Sequence, residues 1–189
     1  MPRHLVVICS SSLMAKEFST TYLADIVHLS MKTATVHEIK KELATLVPEQ
    51  VQELCLRLAK FKKDNKELLT YLLFEAHDEQ AYILDAKRET EEQFSALSNL
   101  NVYYIKKSIR RIGRLVSKQI KYSGQPATEL ALRIHFCQQM KVNAIPMDKS
   151  AVLANMYQQQ INKIDKALSK LEEDLQYDYQ AEIENLKHD

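Results

Sequence analysis

A chain of 189 residues, 46% hydrophobic and 27% charged with a formal net charge of +1, is long enough to bury a real core, and its bulk charge selects no class of partner. Two glycines and four prolines are too few for a turn-rich β protein. They also exclude phosphate-cradling loops, because neither GxGxxG nor a Walker-type loop can be written with Gly113 and Gly124 alone. Cys9, Cys55 and Cys137 are odd in number and widely spaced, so neither a disulfide framework nor a CxxC site is available. Cys55 and Cys137 sit in apolar helical patterns as small core residues, which points to a reducing, cytoplasmic setting.

The first residues differ from the rest. The apolar run Leu5 to Cys9 is too short for a secretory signal or a membrane span. A lipoprotein reading of Cys9 fails because bulky Ile8 precedes it. An orderly helical pattern follows Met31-Lys32-Thr33, so residues 1–30 read as an upstream or weakly ordered extension. Thr35 and Glu38 form a capping box for a first helix, with Ile39, Leu43 and Leu46 as its apolar stripe. Pro48 opens a second helix to Lys62, with Val51, Leu54, Cys55, Leu58 and Phe61 on one side. Asp64 or Asn65 starts a third, with Leu68, Leu69, Leu72, Leu73 and Ala76 inward. His77-Asp78-Glu79 is a polar junction with Asp78 as an N-cap. The next helix turns Ile83, Ala86, Thr90, Phe94 and Leu97 inward, a set poor in large residues and therefore expected to be more exposed.

After a connection at Ser98 to Asn101 comes NVYYIKKSIRRIGRLVSKQIKYS, residues 101–123. On a helix at about 100° per residue, Val102, Ile105, Ile109, Ile112, Val116 and Ile120 fall in an arc of roughly 80°. Lys106, Lys107, Arg110, Arg111, Arg114, Lys118 and Lys121 share an arc of roughly 140° on the other side, with Tyr103 near its middle and Tyr104 and Tyr122 at its edges. No Asp or Glu lies between Gln93 and Thr128, whereas residues 31–93 carry thirteen acidic against ten basic groups. Gly124 suits a left-handed cap. Pro126 opens a helix with Leu130, Ile134, Cys137 and Met140 or Lys141 along one face. A loop around Pro146 leads to Asp148, which caps a long final helix. Its seam, Tyr157, Ile161, Ile164, Leu168, Leu171 and Leu175, alternates spacings of four and three over about two and a half heptads. The expected architecture is all-α: six or seven helices packed as antiparallel pairs, a bundle or short α-solenoid. Residues 31–147 form the core domain and 148–189 a long C-terminal helix packed on it, a helix that also offers a surface for a homodimer.

The polar clusters favour structure over chemistry. Glu75 and His77, two apart, point to different helix faces and do not make the Glu-x-x-His of a bundle di-metal site. Glu184 and His188 have ligand spacing but lie at a chain end that should fray. No GxSxG, HExxH or Cys-His signature occurs, and His135, between Ile134 and Phe136, reads as partly buried structure. No cofactor is implied.

The runs Val36-His37-Glu38-Ile39-Lys40-Lys41-Glu42-Leu43, Asn65 to Ala76 and Lys106-Lys107-Ser108-Ile109-Arg110-Arg111 together resemble a group of uncharacterised all-helical bacterial proteins, chiefly of Bacteroidetes, over roughly residues 31–140. The resemblance implies no activity and no functional residues, and it fits a start at Met31.

The basic arc is the feature above background. Cations at i,i+4, such as Lys106, Arg110, Arg114 and Lys118, repel by a few tenths of a kcal/mol per pair, so something should neutralise them. The sources are an internal acidic face, with Glu172, Glu173 and Asp174 as one candidate, or an external anion. The leading expectation is a non-enzymatic interaction module that docks an anionic partner, an acidic protein or nucleic acid, on residues 105–121. The alternatives are a nucleic-acid binder without sequence readout, for which Tyr beside Arg suits base stacking, and an enzyme without a recognisable motif. A chain begun at Met31 is expected to melt within about 2 °C of the full chain in a calorimetric scan; a larger loss makes residues 1–30 a docked element.

Overall fold

The computed structural model describes residues 33–97 and 101–187. The expectations placed on residues 1–30 and the Met31 start, on Cys9, on Ser98 to Leu100 and on His188 lie outside them. The described residues contain eight helices and no strand: α1 (Val36–Leu43), α2 (Pro48–Phe61), α3 (Lys63–Thr70), α4 (Glu79–Ser95), α5 (Val102–Ser123), α6 (Pro126–Val142), α7 (Ala151–Leu168) and α8 (Glu173–Lys187). No helix among them is long and apolar enough to cross a membrane. The chain divides into two units between Gln52 and Glu53.

In the first unit, α1 starts as its sequence requires. The Thr35 amide donates to Glu38 Oε2 at 2.7 Å, and the Glu38 amide donates back to Thr35 Oγ1 at 3.3 Å. Its apolar stripe is not covered: Ile39 is 46% and Leu43 40% exposed.

The second unit is built around α6. Ten of that helix's seventeen residues are buried, on every side of it. Leu130, Ile134, Cys137 and Met140 are inward as expected, and Ala131, Leu132, Arg133, His135 and Phe136 are buried as well. Helices α4, α5, α7 and α8 all pack against it. Pro126 opens α6 at its first position, where the missing amide hydrogen costs nothing, and Gly124 closes α5 in the left-handed region at φ 68°.

The inward face of α4 is Ile83, Ala86, Thr90, Phe94 and Leu97, as its spacing foretold. The expected exposure of that face is overturned, because α6 lies along it. Phe94 meets Phe136 edge-to-face at 5.5 Å, and Thr90 returns its hydroxyl to the Ala86 carbonyl. The expectation for α2 and α3 fails in the other direction. Leu58 and Phe61, and Leu72 and Leu73, stay exposed, and so does Cys55. The chain after Thr70 widens into a π-helical turn, Tyr71–Glu75, and that turn packs on α4 and α5. It swings Tyr71 inward against Tyr82, ring centroids 4.7 Å apart, and leaves the neighbouring leucines outside.

The long C-terminal helix expected over 148–189 is two helices. Ser150, not Asp148, precedes α7, and the chain breaks at 169–172 before α8. The seam is spent inside the chain: Ile161 and Ile164 are buried and Leu168 and Leu171 pack against the core, while α8 adds Ile183 and Leu186. Lys187 pairs with Asp165 at 2.7 Å, and the Tyr157 hydroxyl donates to the Leu186 carbonyl. A homodimer through this seam is therefore not supported, because all of its residues but the exposed Leu175 already pack within the chain.

Phe94→Ala removes a ring 1% exposed at the contact of α4 and α6. Urea unfolding should show a loss of about 3–5 kcal/mol, the usual cost of an unfilled aromatic site.

Candidate functional site

Ile109, Ile112, Val116 and Ile120 seat α5 on the core, which fixes where its cations point. They do not act as one face. Lys118 lies 2.6 Å from Glu67 Oε2, and the Tyr122 hydroxyl donates to the same oxygen at 2.8 Å. The acid that neutralises part of the arc is thus Glu67, brought from α3, and not the Glu172-Glu173-Asp174 run considered above. Arg111 donates to Gln93 Oε1 at 3.0 Å. Lys107 and Lys121 are exposed and Lys106 is half-buried. Tyr103 is exposed and packs edge-to-face on Tyr104 at 5.4 Å.

Arg110 and Arg114 line a groove of about 550 Å³ between α5 and α7. Gly113 and Ser117 complete the α5 wall, and Phe136 of α6 contributes to the lining between them. The α7 wall presents Asn155, Gln159 and Lys163, four residues apart and so on one helix face, with Val152, Met156 and Gln160 beside them. Arg133 donates to Gln160 Oε1 at 2.8 Å, which turns the Gln160 amide nitrogen away from Arg133 and leaves it as a donor. Arg133 does not add charge to the groove, because it is buried and held by Glu129 at 2.9 Å. The lining therefore has three cations, several amide or hydroxyl donors, an apolar component and no carboxylate. Such a surface attracts anions and can hydrogen-bond carboxylate or phosphate oxygens. Lys163 and the α7 amides were not singled out from the sequence; the signal available was the Asn155-Gln159-Lys163 spacing beside the apolar seam.

The polar junction before α4 is structural. Asp78 Oδ1 accepts from the Ala81 amide at 3.0 Å. Glu79 accepts from the Ser123 and Thr128 hydroxyls and from Tyr71 at 2.7 Å, which ties α4 to the π turn, α5 and α6. Among the described residues no three His, Cys, Asp or Glu side chains converge as metal ligands. His135 is buried, its Nε2 3.3 Å from Glu91 Oε1 without a hydrogen bond, and Cys137 is fully buried, its thiol pushed up to about 12 by burial. Neither is placed to act on a substrate in the groove.

With the geometry in hand, comparison with known proteins adds nothing further: no family model matches the chain, and no curated protein or solved structure does. The functional reading rests on the groove.

The titrating groups fix a pH window. Burial raises the Glu79 carboxyl pKa, but hydrogen bonds from Ser123, Thr128 and Tyr71 outweigh it, and the net is below 4.5. The Lys118 and Tyr122 bonds lower that of Glu67 likewise. Burial holds His135 below 6.5, against the pull of Glu91. Each lowered group gives stability that is present above its unfolded value and lost as pH falls through its folded one. Lys118 is raised above 10.5 by Glu67, and Tyr71 above 10.0 by burial, so their contributions are lost on the alkaline side. The thermal midpoint should be flat from about pH 7 to 9.5, fall below about 6.5 and fall faster below about 4.5. Glu79→Gln should lower the plateau and soften the acid slope, read by circular dichroism melts across pH.

Proposed function

We propose that the chain is a non-enzymatic helical interaction module that docks an acidic polypeptide segment in the groove between α5 and α7. The observation that carries this reading is the pairing of Arg110 and Arg114 with Lys163 across a lining that contains no carboxylate. Met156 and Val152 beside those cations offer apolar contact as well as charge, which suits a peptide more than a bare phosphate chain. Arg supplies forked donors to a partner carboxylate, and Asn155, Gln159 and Gln160 can bond a partner backbone. Nucleic acid is the second reading; the exposed Tyr103-Tyr104 pair beside Lys106 and Lys107 supplies a stacking platform near cations. A cytoplasmic setting belongs to the same reading, supported by the free Cys55 and Cys137 thiols.

The test is Arg110, Arg111 and Arg114 to Gln together, and Lys163→Gln separately, with fluorescent polyglutamate and a fluorescent single-stranded oligonucleotide as probes. The exposed arginines are placed to leave the fold intact, so the triple variant should melt within about 2 °C of the parent. Polyglutamate binding should weaken about tenfold in the triple variant and a few-fold with Lys163→Gln, in line with about 0.2–1 kcal/mol per exposed charge pair. Tighter oligonucleotide binding, with a steep salt slope that the triple variant flattens, would exchange the leading reading for the nucleic-acid one. Failure of both probes to bind at low salt sinks both readings.

A further inference from the structure

An apolar groove of about 260 Å³ opens at the bend between α2 and α3, lined by Cys55, Leu58 and Ala59 on one side and Leu68, Leu69 and Leu72 on the other. No charged side chain lines it. A single residue, Lys62, joins the two helices, and the Asn65 amide donates to the Leu58 carbonyl at 2.9 Å, which pins the bend. Leu54 and Phe61, four before and three after Leu58, extend the apolar surface along α2, and Leu73 extends it beyond Leu72. All of the large ones face water: Leu54, Leu58, Leu68, Leu72 and Leu73 are exposed, and Phe61 is 76% exposed.

The size of this surface points to its occupant. With Cys55, these side chains expose an area on the order of 700 Å², above the largest apolar patch of a typical monomer and close to the roughly 800 Å² that each partner gives to a stable interface. The groove itself is smaller than the roughly 300–1,000 Å³ of a small-molecule site and suits single side chains presented by another surface. The same face supplies such a side chain, because Phe61 stands out beside the groove. A face that holds both a knob and a groove can meet its own copy about a twofold axis.

Charge fixes the orientation. Helix α2 carries Glu49 and Glu53 in its first half and Arg57 and Lys60 in its second. Glu53, Arg57 and Lys60 form no ion pair among the described residues. Two copies of α2 laid parallel set Glu53 beside Glu53 and Arg57 beside Arg57. Antiparallel copies centred on Leu54 and Cys55 set Glu53 of each beside Arg57 of the other, and their helix dipoles oppose as well.

We propose that the face of α2 and α3 is a homodimer interface, on which two copies of the chain pack antiparallel about a twofold axis at the middle of α2. Apolar burial supplies the affinity, and the Glu53 and Arg57 pairs at the rim set the direction. The face shares no residue with the anion groove of α5 and α7, so the two readings stand or fall separately.

Sedimentation equilibrium of the full chain from about 1 to 200 µM should show monomer and dimer exchanging with a midpoint in the micromolar range. Leu58→Glu with Phe61→Glu should weaken the dimer by about 100-fold or more, because each change acts twice in a symmetric contact. At a dilution where the parent is monomeric, that variant should melt with the parent, since both residues are exposed. Arg57→Glu should weaken the dimer about three- to tenfold, and adding Glu53→Arg should restore it. A third measurement leaves the interface unaltered: in a Cys9→Ser background, a short bismaleimide should join two chains through Cys55, because Cys137 is buried. The proposal is overturned if the Leu58 and Phe61 changes leave dimerisation as it was, if the charge exchange does not restore it, or if Cys55 is not cross-linked. It is equally overturned by a parent that stays monomeric: a variant that then melts lower assigns the face to another segment of this chain, and one that melts unchanged assigns it to a different protein. Arg110→Gln with Arg114→Gln should leave the dimer unaffected, which separates this test from that of the anion groove.

Discussion

Helix α6 gives no face to water, and that constraint governs the second unit. A helix buried on every side must be surrounded, and α4, α5, α7 and α8 do so. Its polar side chains must also be satisfied without solvent. Thr128 gives its hydroxyl to Glu79. Arg133 is closed between Glu129 and Gln160, so a guanidinium 7% exposed remains paired. Burial holds the His135 pKa below its ordinary value, against the pull of Glu91. A buried charge stripped of its partner costs far more than an exposed one, so these contacts specify which neighbours sit where as much as they stabilise.

The same constraint makes α5 two-sided. Its isoleucines and Val116 are seated on the core, and the flanks on either side of that stripe meet different elements. One flank meets the π turn and the end of α3, where Glu67 draws Lys118 into an ion pair and leaves it half-buried. The other flank faces the amides and Lys163 of α7, where no acid lies, and Arg110 and Arg114 keep their charge. Like charges at i,i+4 on one helix repel weakly; here some are relieved internally and the rest are left to act outward. A cationic groove and an acidic cleft thus lie on opposite flanks of one helix.

Glu79 joins these regions. It stands at the first position of α4, where the helix dipole favours a carboxylate, and it accepts from residues of the π turn, α5 and α6 at once. The π turn supplies Tyr71 to this junction and also lines the acidic cleft with Glu75. The widened turn, often a mark of function within helices, here places an aromatic ring inward and an acid at the cleft on one short stretch.

Local rules were enough to read the helices from the amino-acid order. The Thr35-Glu38 capping box, Pro48, the Asp78 cap, Pro126 and Gly124 act over three or four residues, and their hydrogen bonds and dihedral restrictions do not depend on distant chain. The inward sets of α4, α5 and α6 were legible for the same reason, since a 3.6-residue period reports a buried stripe wherever a core exists. Which stripes actually find a core was not legible. Leu58, Phe61, Leu72 and Leu73 have the right period and remain exposed, while α6 is buried beyond any periodicity, because burial depends on what packs opposite. The break after Leu168 was missed because the apolar seam continues through it to Leu171 and Leu175 without glycine or proline. The candidate site was half legible. Sequence gave a cationic arc on α5 through Arg110 and Arg114, but only tertiary packing decided that Lys118 is claimed by Glu67, fifty-one residues away, and that Lys163 faces the arginines. Charge is a property of each residue; its partner is a property of the fold.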